Sequence, residues 1–195
     1  MSYWLESLAP HHELDAFRCG NAELDEWLAR HARTATGQGT RTSVLVVDPG
    51  EVVGYFAVAP HLLEREQAPR SIGRGAPARI PAILLAKLAL HERLQGNGLG
   101  SELLIHAFAT IVAAARSAGG RIIVVDAIDE RAEAFYRAHD FQPVPTDQRP
   151  VIKLSTVALA LDLPWPYPSE RPPARAAEKD VAGPARRQRQ ASRSR

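Results

Sequence analysis

The feature that most constrains this chain is a glycine-rich turn at residues 95–100, which reads Gln-Gly-Asn-Gly-Leu-Gly. A nearly continuous apolar run, residues 83–90, precedes it, and large apolar residues recur at helical spacing after it. This pattern predicts a buried strand, a tight turn and a helix that begins at the turn. The first N–H groups of a helix have no partner within it and carry the positive end of its dipole. Glycines also permit close approach to the backbone, so the sequence predicts an anion-binding turn.

Two nucleotide-binding motifs do not fit this turn. A P-loop ends in Gly-Lys-Ser or Gly-Lys-Thr, but no lysine precedes Ser101. A dinucleotide fingerprint needs the spacing G-x-G-x-x-G, which Gly96, Gly98 and Gly100 do not have. On the turn alone, a structural glycine turn without a ligand remains an alternative.

The turn resembles the Gln/Arg-x-x-Gly-x-Gly/Ala loop of the GNAT superfamily of N-acetyltransferases. That resemblance implies acetyl-CoA as cosubstrate, with its pyrophosphate held by backbone amides of the turn. The residues concerned are Gln95, Gly96, Asn97, Gly98, Leu99, Gly100 and Ser101. The resemblance also implies that backbone groups of Leu88, Ala89 and Leu90 pair with the pantetheine arm, as an added strand would.

A second motif lies at residues 134–141, which read Ala-Phe-Tyr-Arg-Ala-His-Asp-Phe. It resembles the Phe-Tyr-x-x-x-Gly-Phe signature of the same family, which implies that Tyr136 is the general acid for the leaving thiolate. A phenol with a pKa of ~10 can donate to a thiolate whose acid has a pKa of ~8.5. Asp140 replaces the glycine of the signature, and aspartate tolerates the left-handed conformation that stops a helix.

A general base is harder to find in the sequence. His91 and Glu92 follow the strand and are candidates through a water molecule, but they also fit solvated loop positions. A lysine amine has a pKa of ~10.4 and requires a positioned base, whereas an α-amine with a pKa of ~7.7–8 is partly neutral at pH 7. The absence of an obvious base therefore favours an α-amino substrate.

A narrower resemblance covers most of the domain. Residues 17–28 follow the pattern Phe-x-Cys-Gly-Asn-x-x-Leu-Asp-x-Trp-Leu, and Lys-Leu-Ala at 87–89 precedes the turn. Both look like the acetyltransferase toxins of toxin–antitoxin pairs. This implies acetylation of the α-amine of aminoacyl-tRNA, a ribbon-helix-helix antitoxin as partner, and a homodimer. Asn97 departs from the pattern, because these toxins often carry Lys or Arg there.

Basic residues are distributed in a way that suits tRNA. Arg41, Arg79 and Lys87 lie in stretches that contain no carboxylate, and we interpret them as phosphate contacts. Scattered solvated cations are the alternative.

The order of predicted elements is strand, helix, two hairpin strands, a long loop at residues 61–81, strand, helix, strand, helix, and two closing strands at 141–144 and 151–161. It matches an α/β (α+β) GNAT fold, a mixed central sheet of about six to seven strands flanked by helices, with a splay at the acyl-CoA site. We expect a GNAT domain at residues 1–163. The segment 164–195 carries eight Lys/Arg, three Asp/Glu and six prolines, and we expect a disordered basic tail there.

Composition limits the other possibilities. Cys19 is the only cysteine, so no intrachain disulfide forms, and no Cys/His set has zinc spacing, so no metal is expected. No apolar run approaches the ~18 residues of a membrane helix, and no secretory signal is visible. These features favour a cytoplasmic protein without a membrane partner.

Two other functions stay open at this stage. One is a metabolic or antibiotic N-acetyltransferase that acts on a small amine. The other is an inactive CoA-binding regulatory partner.

Overall fold

The computed structural model describes residues 3–144 and 149–162 of the chain. Within these residues, six strands form one sheet in their order along the chain. They are β1 (Tyr3–Ser7), β2 (Arg41–Val47), β3 (Glu51–Glu64), β4 (Arg79–Leu90), β5 (Ile122–Val125) and β6 (Val151–Lys153). Neighbours are antiparallel except for β4 and β5, which are parallel. The prediction of a mixed sheet is confirmed.

Helices cover both faces of this sheet. They are α1 (Ala22–Glu26), α2 (Ala32–Gly37), α3 (Arg70–Gly73), α4 (Leu99–Ala118), α5 (Glu130–Arg137) and α6 (Leu154–Ala160). A π-helical turn (Trp27–His31) joins α1 to α2. The Asn21 side chain caps α1 by accepting from the N–H of Leu24 at 3.1 Å. After α5, Asp140 takes a φ of 65°, so aspartate provides the left-handed residue that the signature otherwise assigns to glycine.

Helix α4 forms the centre of the largest core cluster. One stripe of the helix is buried against the sheet and α6: Leu103, Leu104, Ala107, Phe108, Ile111, Val112 and Ala115. Among the described helices, α4 alone has the length and apolar composition to cross a membrane, a test that core helices of globular domains also pass. Its packing against β3 and β4 explains the apolar composition.

Strands β4 and β5 separate partway along their length. Their pairing ends at Leu85 and Val125, whereas β4 stays paired with β3 as far as Leu90. The register places a β-bulge at Ala86, which has no partner in β3. A bulge bends its strand and increases the local twist. The predicted splay is therefore present, and it begins at Ala86.

The two central strands are longer than predicted from the sequence. Residues 61–81 read as a loop because of their prolines and glycines, but β3 continues to Glu64 and β4 begins at Arg79. Pro60 is tolerated because the pairing between β2 and β3 ends at Val58. Beyond that point β3 has an open side, where a missing N–H costs no ladder bond.

The C-terminal strands also differ from the prediction. Of residues 151–161, predicted as a strand, only β6 is extended and α6 follows it. Leu154, Val157 and Ala158 are buried at helical spacing and belong to the core cluster around α4, so tertiary packing overrides β propensity here. Of the predicted strand 141–144, only Gln142 pairs, as an isolated bridge to Val151. The proposed basic tail lies outside the described residues, and the domain boundary at 163 stays a prediction.

The core can be tested with two leucines that differ in burial. Leu104 on α4 is 0% exposed, whereas Leu159 on α6 is 83% exposed. We expect Leu104→Ala to lower the free energy of unfolding by about 2–5 kcal/mol, because it removes packed methyl groups and leaves a cavity. We expect Leu159→Ala to change it by less than about 0.5 kcal/mol. Urea denaturation measures both, and equal losses would contradict the placement of α4.

Candidate functional site

The splay between β4 and β5 opens into a cavity of about 480 Å³. Four parts of the chain line it: the residues before α1, the end of β4, the glycine turn, and the first turns of α5. The fold thus brings the glycine turn, the β4 edge and Tyr136 to one place, although they lie far apart in sequence.

The glycine turn presents a run of backbone donors to the cavity. The N–H groups of Gln95 and Ser101 donate to Glu92 and Gly98. The five N–H groups between them donate to no described residue: Gly96, Asn97, Gly98, Leu99 and Gly100. Gly96 and Gly98 have φ angles of 81° and 83°, which side chains disfavour. Successive free N–H groups at the positive end of a helix form an anion-binding concavity.

The Gln95 side chain has a positioning role. Its Nε2 donates to the carbonyl of Cys19 at 2.8 Å and to the carbonyl of Leu90 at 2.9 Å. These two bonds tie the turn to the end of β4 and to the chain before α1. The side-chain amide of Gln95 is therefore already hydrogen-bonded within the protein, and these bonds fix the position of the turn.

Backbone groups of β4 differ in their availability. The N–H of His91 donates to the carbonyl of Val53 at 2.8 Å, and bonded pairs alternate along an antiparallel ladder. By this alternation Ala89 directs its backbone groups toward β3, which differs from the prediction for that residue. Leu88 and Leu90 direct theirs into the splay. The Leu90 carbonyl already accepts from the Gln95 side chain. The backbone groups that remain free toward the splay are therefore the N–H and the carbonyl of Leu88 and the N–H of Leu90.

Tyr136 lines the cavity from α5 and is 5% exposed. Its ring packs against Phe135 and Phe141, and its hydroxyl forms no hydrogen bond with a described residue. Burial, together with the negative charge of Asp126, raises the pKa of Tyr136 above its usual range. The phenol is therefore neutral at physiological pH and keeps a proton to donate. By contrast, the hydroxyl of Tyr55 donates to the carbonyl of Leu24 at 2.8 Å, which is a structural bond.

Two further residues of this site were missed in the sequence. His139 Nδ1 donates to the carbonyl of Phe135 at 2.8 Å, so its Nε2 accepts from the Ser101 hydroxyl at 3.2 Å and connects α5 to α4. Arg131 is the only cation among the residues that line the cavity, and its side chain forms no ion pair within the described residues. The position of Arg131 in the helix before the Phe-Tyr motif was the available signal, but only the fold shows that it lines the same cavity as the turn.

The base candidates from the sequence lie outside the cavity lining. Nδ1 of His91 accepts from the N–H of Arg93 at 3.4 Å, and the side chain of Glu92 is exposed. The one carboxylate in the lining, Asp129, caps α5 by accepting from the N–H of Ala132 at 2.7 Å. Among the residues the structure describes, none is thus held in the lining as a free carboxylate base.

Cys19 also lines the cavity, but its thiol is not activated. Burial raises the pKa of Cys19 to about 12, and the nearby negative charge of Asp25 acts in the same direction. A thiol held in this form is a poor nucleophile. The arrangement therefore favours direct transfer between two bound substrates over a covalent intermediate on cysteine.

The three predicted phosphate contacts do not form one patch. Alternation along the strands puts Arg41 and Arg79 on one face of the sheet and Lys87 on the other. Arg79 pairs with Glu64 at 3.2 Å, and Lys87 Nζ lies 5.9 Å from the centre of the Trp27 ring. Of the three, only Lys87 lies next to the splay.

A group with metal-ligand chemistry lies at the edge of the sheet. Ligand atoms of Glu6, His11 and His12 lie within 4.8 Å of one another. His12 uses both ring nitrogens within the protein, because Nδ1 accepts from the N–H of Ala9 at 2.9 Å and Nε2 bonds Glu6 at 2.7 Å. A metal ion would have to displace the bond to Glu6.

Comparison with known proteins identifies the class to which this fold and site belong. A family model described as "Acetyltransferase (GNAT) domain" matches residues 39–143, and the chain belongs to this family. The chain is 37% identical over 149 residues to a "tRNA-acetylating toxin" of Mycobacterium tuberculosis (strain ATCC 25618 / H37Rv). The aligned region covers 76% of this chain and 90% of that protein. The resemblances stated from the sequence are confirmed.

Solved structures agree with this assignment. AtaT complexed with acetyl-methionyl-tRNAfMet has 25% identity and a TM-score of 0.75, over 82% of this chain and 99% of that chain. An AtaT mutant bound to acetyl-CoA and to the C-terminus of the antitoxin AtaR has 25% identity and a TM-score of 0.69, over 82% of this chain and 98% of that chain. A tyrosine-to-phenylalanine mutant of KacT shares the fold at 24% identity, with a TM-score of 0.76 over 82% of this chain and 99% of that chain.

The state of the Cys19 thiol is directly measurable. With a pKa of about 12, it carries far less thiolate at pH 8 than a free cysteine of pKa ~8.5. We expect native protein to react with iodoacetamide at least ~100-fold more slowly than the same chain unfolded in urea, because only the thiolate is nucleophilic. Since the chain has one cysteine, mass spectrometry gives an unambiguous rate. Equal rates in the two states would show that the native thiol is as reactive as a free cysteine, and a faster native rate would show activation and reopen a covalent mechanism.

Proposed function

We propose that this protein transfers the acetyl group of acetyl-CoA to the α-amine of an aminoacyl-tRNA, and that it is the toxin of a toxin–antitoxin pair. The observation that carries the proposal is the convergence of three features on one cavity. These are the free backbone N–H groups of the turn, where Gly96, Gly98 and Gly100 line the cavity, the open edge of β4 at Leu88, and the protonated hydroxyl of Tyr136.

Each part of acetyl-CoA has a suitable partner among these residues. The free N–H groups of the turn and the positive end of α4 suit the pyrophosphate. Leu88 offers both backbone groups to the pantetheine amides, as an added strand does. Asn97 brings no charge to the turn, and Arg131 on the facing helix supplies the cation that pairs with a phosphate of the cosubstrate.

The transfer needs one proton at the leaving sulfur. The neutral amine attacks the thioester carbon, a C–N bond forms, and the C–S bond breaks. Tyr136 gives its phenolic proton to the departing thiolate, and the proton lost from nitrogen restores the phenol through solvent. Cys19 takes no part in these steps.

The character of the site favours an α-amine as acceptor. The one carboxylate in the cavity lining is used as a helix cap, so no residue there is placed to deprotonate a lysine-type amine. An α-amine has a pKa of ~7.7–8 and supplies a neutral fraction without a strong base. Lys87 lies beside the splay, where it suits the phosphates at the end of a tRNA. Arg41 and Arg79, farther along the sheet, are proposed as outer contacts.

Related proteins support the biological role. The curated relative is named as a tRNA-acetylating toxin, and AtaT has been solved with acetyl-methionyl-tRNAfMet and with its antitoxin. We propose for this chain a ribbon-helix-helix antitoxin, a homodimer, and action in the cytoplasm, where charged tRNA is present. A small-amine acetyltransferase is the second candidate, because the same cavity would serve a free amine. An inactive CoA-binding partner is the third.

Gly100 offers a clean test of cosubstrate binding. A Cβ at Gly100 meets no atom within 4 Å, and the residue lies within α4, so a side chain there fits the fold. We expect Gly100→Glu to lose acetyl-CoA binding by calorimetry, because a carboxylate would occupy the phosphate position, while the thermal midpoint changes little. Gly100→Ala is the control and should bind more than ten times as tightly as Gly100→Glu. Unchanged affinity in Gly100→Glu would remove the turn from the site.

The substrate is tested with charged and uncharged tRNA. We expect acetylation of aminoacyl-tRNA and none of the uncharged form, because only the charged form has a free α-amine. Tyr136→Phe should retain acetyl-CoA affinity and lose ~10²–10⁴-fold in rate, the usual value of general acid catalysis. The wild-type rate should rise with pH as the amine deprotonates and show no fall up to pH ~9.5, since the pKa of Tyr136 is raised.

Other results would favour the other candidates. Acetylation of polyamines or aminoglycosides in preference to charged tRNA would favour the small-amine enzyme. Binding of acetyl-CoA without turnover on any amine would favour the inactive partner.

A further inference from the structure

A second cavity lies at the opposite end of the sheet from the acetyl-transfer site. It measures about 620 Å³ and is bordered by α3 and the start of β4, by the end of α4 and the start of β5, and by the junction between β6 and α6. Pro81 lines this cavity and Leu88 lines the first, and both lie on β4. At ~3.3 Å per residue, the two positions are roughly 23 Å apart.

The charges around this second cavity are all positive. Arg74, Arg121 and Lys153 line it, and among the described residues no aspartate or glutamate does. All three side chains are exposed, and none forms an ion pair or side-chain hydrogen bond with a described residue. By contrast, Arg79 nearby is paired with Glu64.

Neutralisation of the α4 dipole does not account for this charge. The end of α4 at Ala118 and Gly119 also lines the cavity, and its free carbonyls carry about half a negative charge. The three positive side chains therefore leave a net charge of roughly +2.5 after the negative end of the helix is counted. A concave surface with a net positive charge concentrates anions.

The positive surface continues beyond the cavity. Arg74 also lines a neighbouring depression around α3, where it stands with Arg65, Arg70 and one acid, Glu66, so that cations still outnumber acids three to one. The cations are thus spread over a path instead of converging on one point. This spacing suits the repeated phosphates of a nucleic acid backbone better than a single small anion, and arginine is well matched to phosphate.

We propose that the surface formed by Arg74, Arg121 and Lys153 binds the backbone phosphates of the tRNA body while the aminoacyl end occupies the splay. The proposal rests on the proposed function and adds to it the place where the tRNA body binds. A stacked CCA end rises ~3.4 Å per nucleotide, about 10 Å in all, so a span of roughly 23 Å reaches past it to the first base pairs of the acceptor arm. The surface therefore distinguishes tRNA from any small amine that reaches the same catalytic cavity.

The test compares two substrates that share the reacting group. One is full-length aminoacyl-tRNA, and the other is the aminoacylated trinucleotide CCA, which is too short to reach the second cavity. The variant is the triple substitution Arg74→Gln, Arg121→Gln and Lys153→Gln. The control is Arg116→Gln, which removes a charge from the last turn of α4 outside the cavity lining. Acetyl-CoA affinity serves as the check on folding.

We expect the triple variant to raise KM for full-length aminoacyl-tRNA at least tenfold and to leave kcat unchanged. The slope of log(kcat/KM) against log salt should become shallower by about one per removed contact, thus by about 3. Kinetics on the trinucleotide should match those of the wild type, and Arg116→Gln should change the KM for tRNA by less than twofold.

Several results would overturn this inference while the proposed function stands. They are an unchanged KM and salt slope on tRNA, an equal loss on the trinucleotide, or an equal effect of Arg116→Gln. Loss of antitoxin binding with unchanged tRNA kinetics would likewise overturn it and assign the surface to a protein partner. If the wild type acetylates neither charged substrate, it is the proposed function that fails.

Discussion

The separation of β4 from β5 is the constraint on which the rest of the site depends. Four residue pairs join the two strands, and the pairing stops where Ala86 forms a bulge. If the pairing continued, the backbone groups of Leu88 would be used within the sheet and no cavity would open. The bulge therefore converts an interior strand into a local edge, and only an edge can receive an extended ligand as a further strand. An exposed edge normally invites aggregation, but here it is short and lies within a cavity.

The glycine turn depends on the same geometry. The side-chain amide of Gln95 donates to the carbonyls of Leu90 and Cys19, so the turn is anchored to the part of β4 that no longer pairs with β5. This anchoring orients the free N–H groups toward the splay, and α4 adds its positive end in the same direction. In the proposed complex, the backbone therefore binds both the anionic part and the extended part of acetyl-CoA, so binding does not require a lysine or arginine at Asn97.

Local features of this structure were predictable and long-range ones were not. The turn, the hairpin of β2 and β3 and the motif around Tyr136 have short-range signatures, and the family resemblance added their roles. The extent of β3 was not predictable, because Pro60 is acceptable only when the neighbouring strand has ended. Ala89 was assigned to the ligand since the sequence does not reveal which residues of a strand face the open edge. Arg131 and the second cavity depend on tertiary placement alone.

The raised pKa of Tyr136 presents an apparent difficulty for a general acid. Each unit by which the phenol's pKa exceeds that of the leaving thiol costs about 1.4 kcal/mol in proton transfer. Cys19 indicates how this difference is offset, because it is a thiol that lines the same cavity and burial raises its pKa to about 12. In the proposed reaction, a CoA thiolate released beside Tyr136 would lose hydration in the same way, which raises the pKa of its thiol in the same direction as that of the phenol. The apolar surroundings of Tyr136 would then both keep the proposed acid protonated and make the leaving group more basic than it is in water.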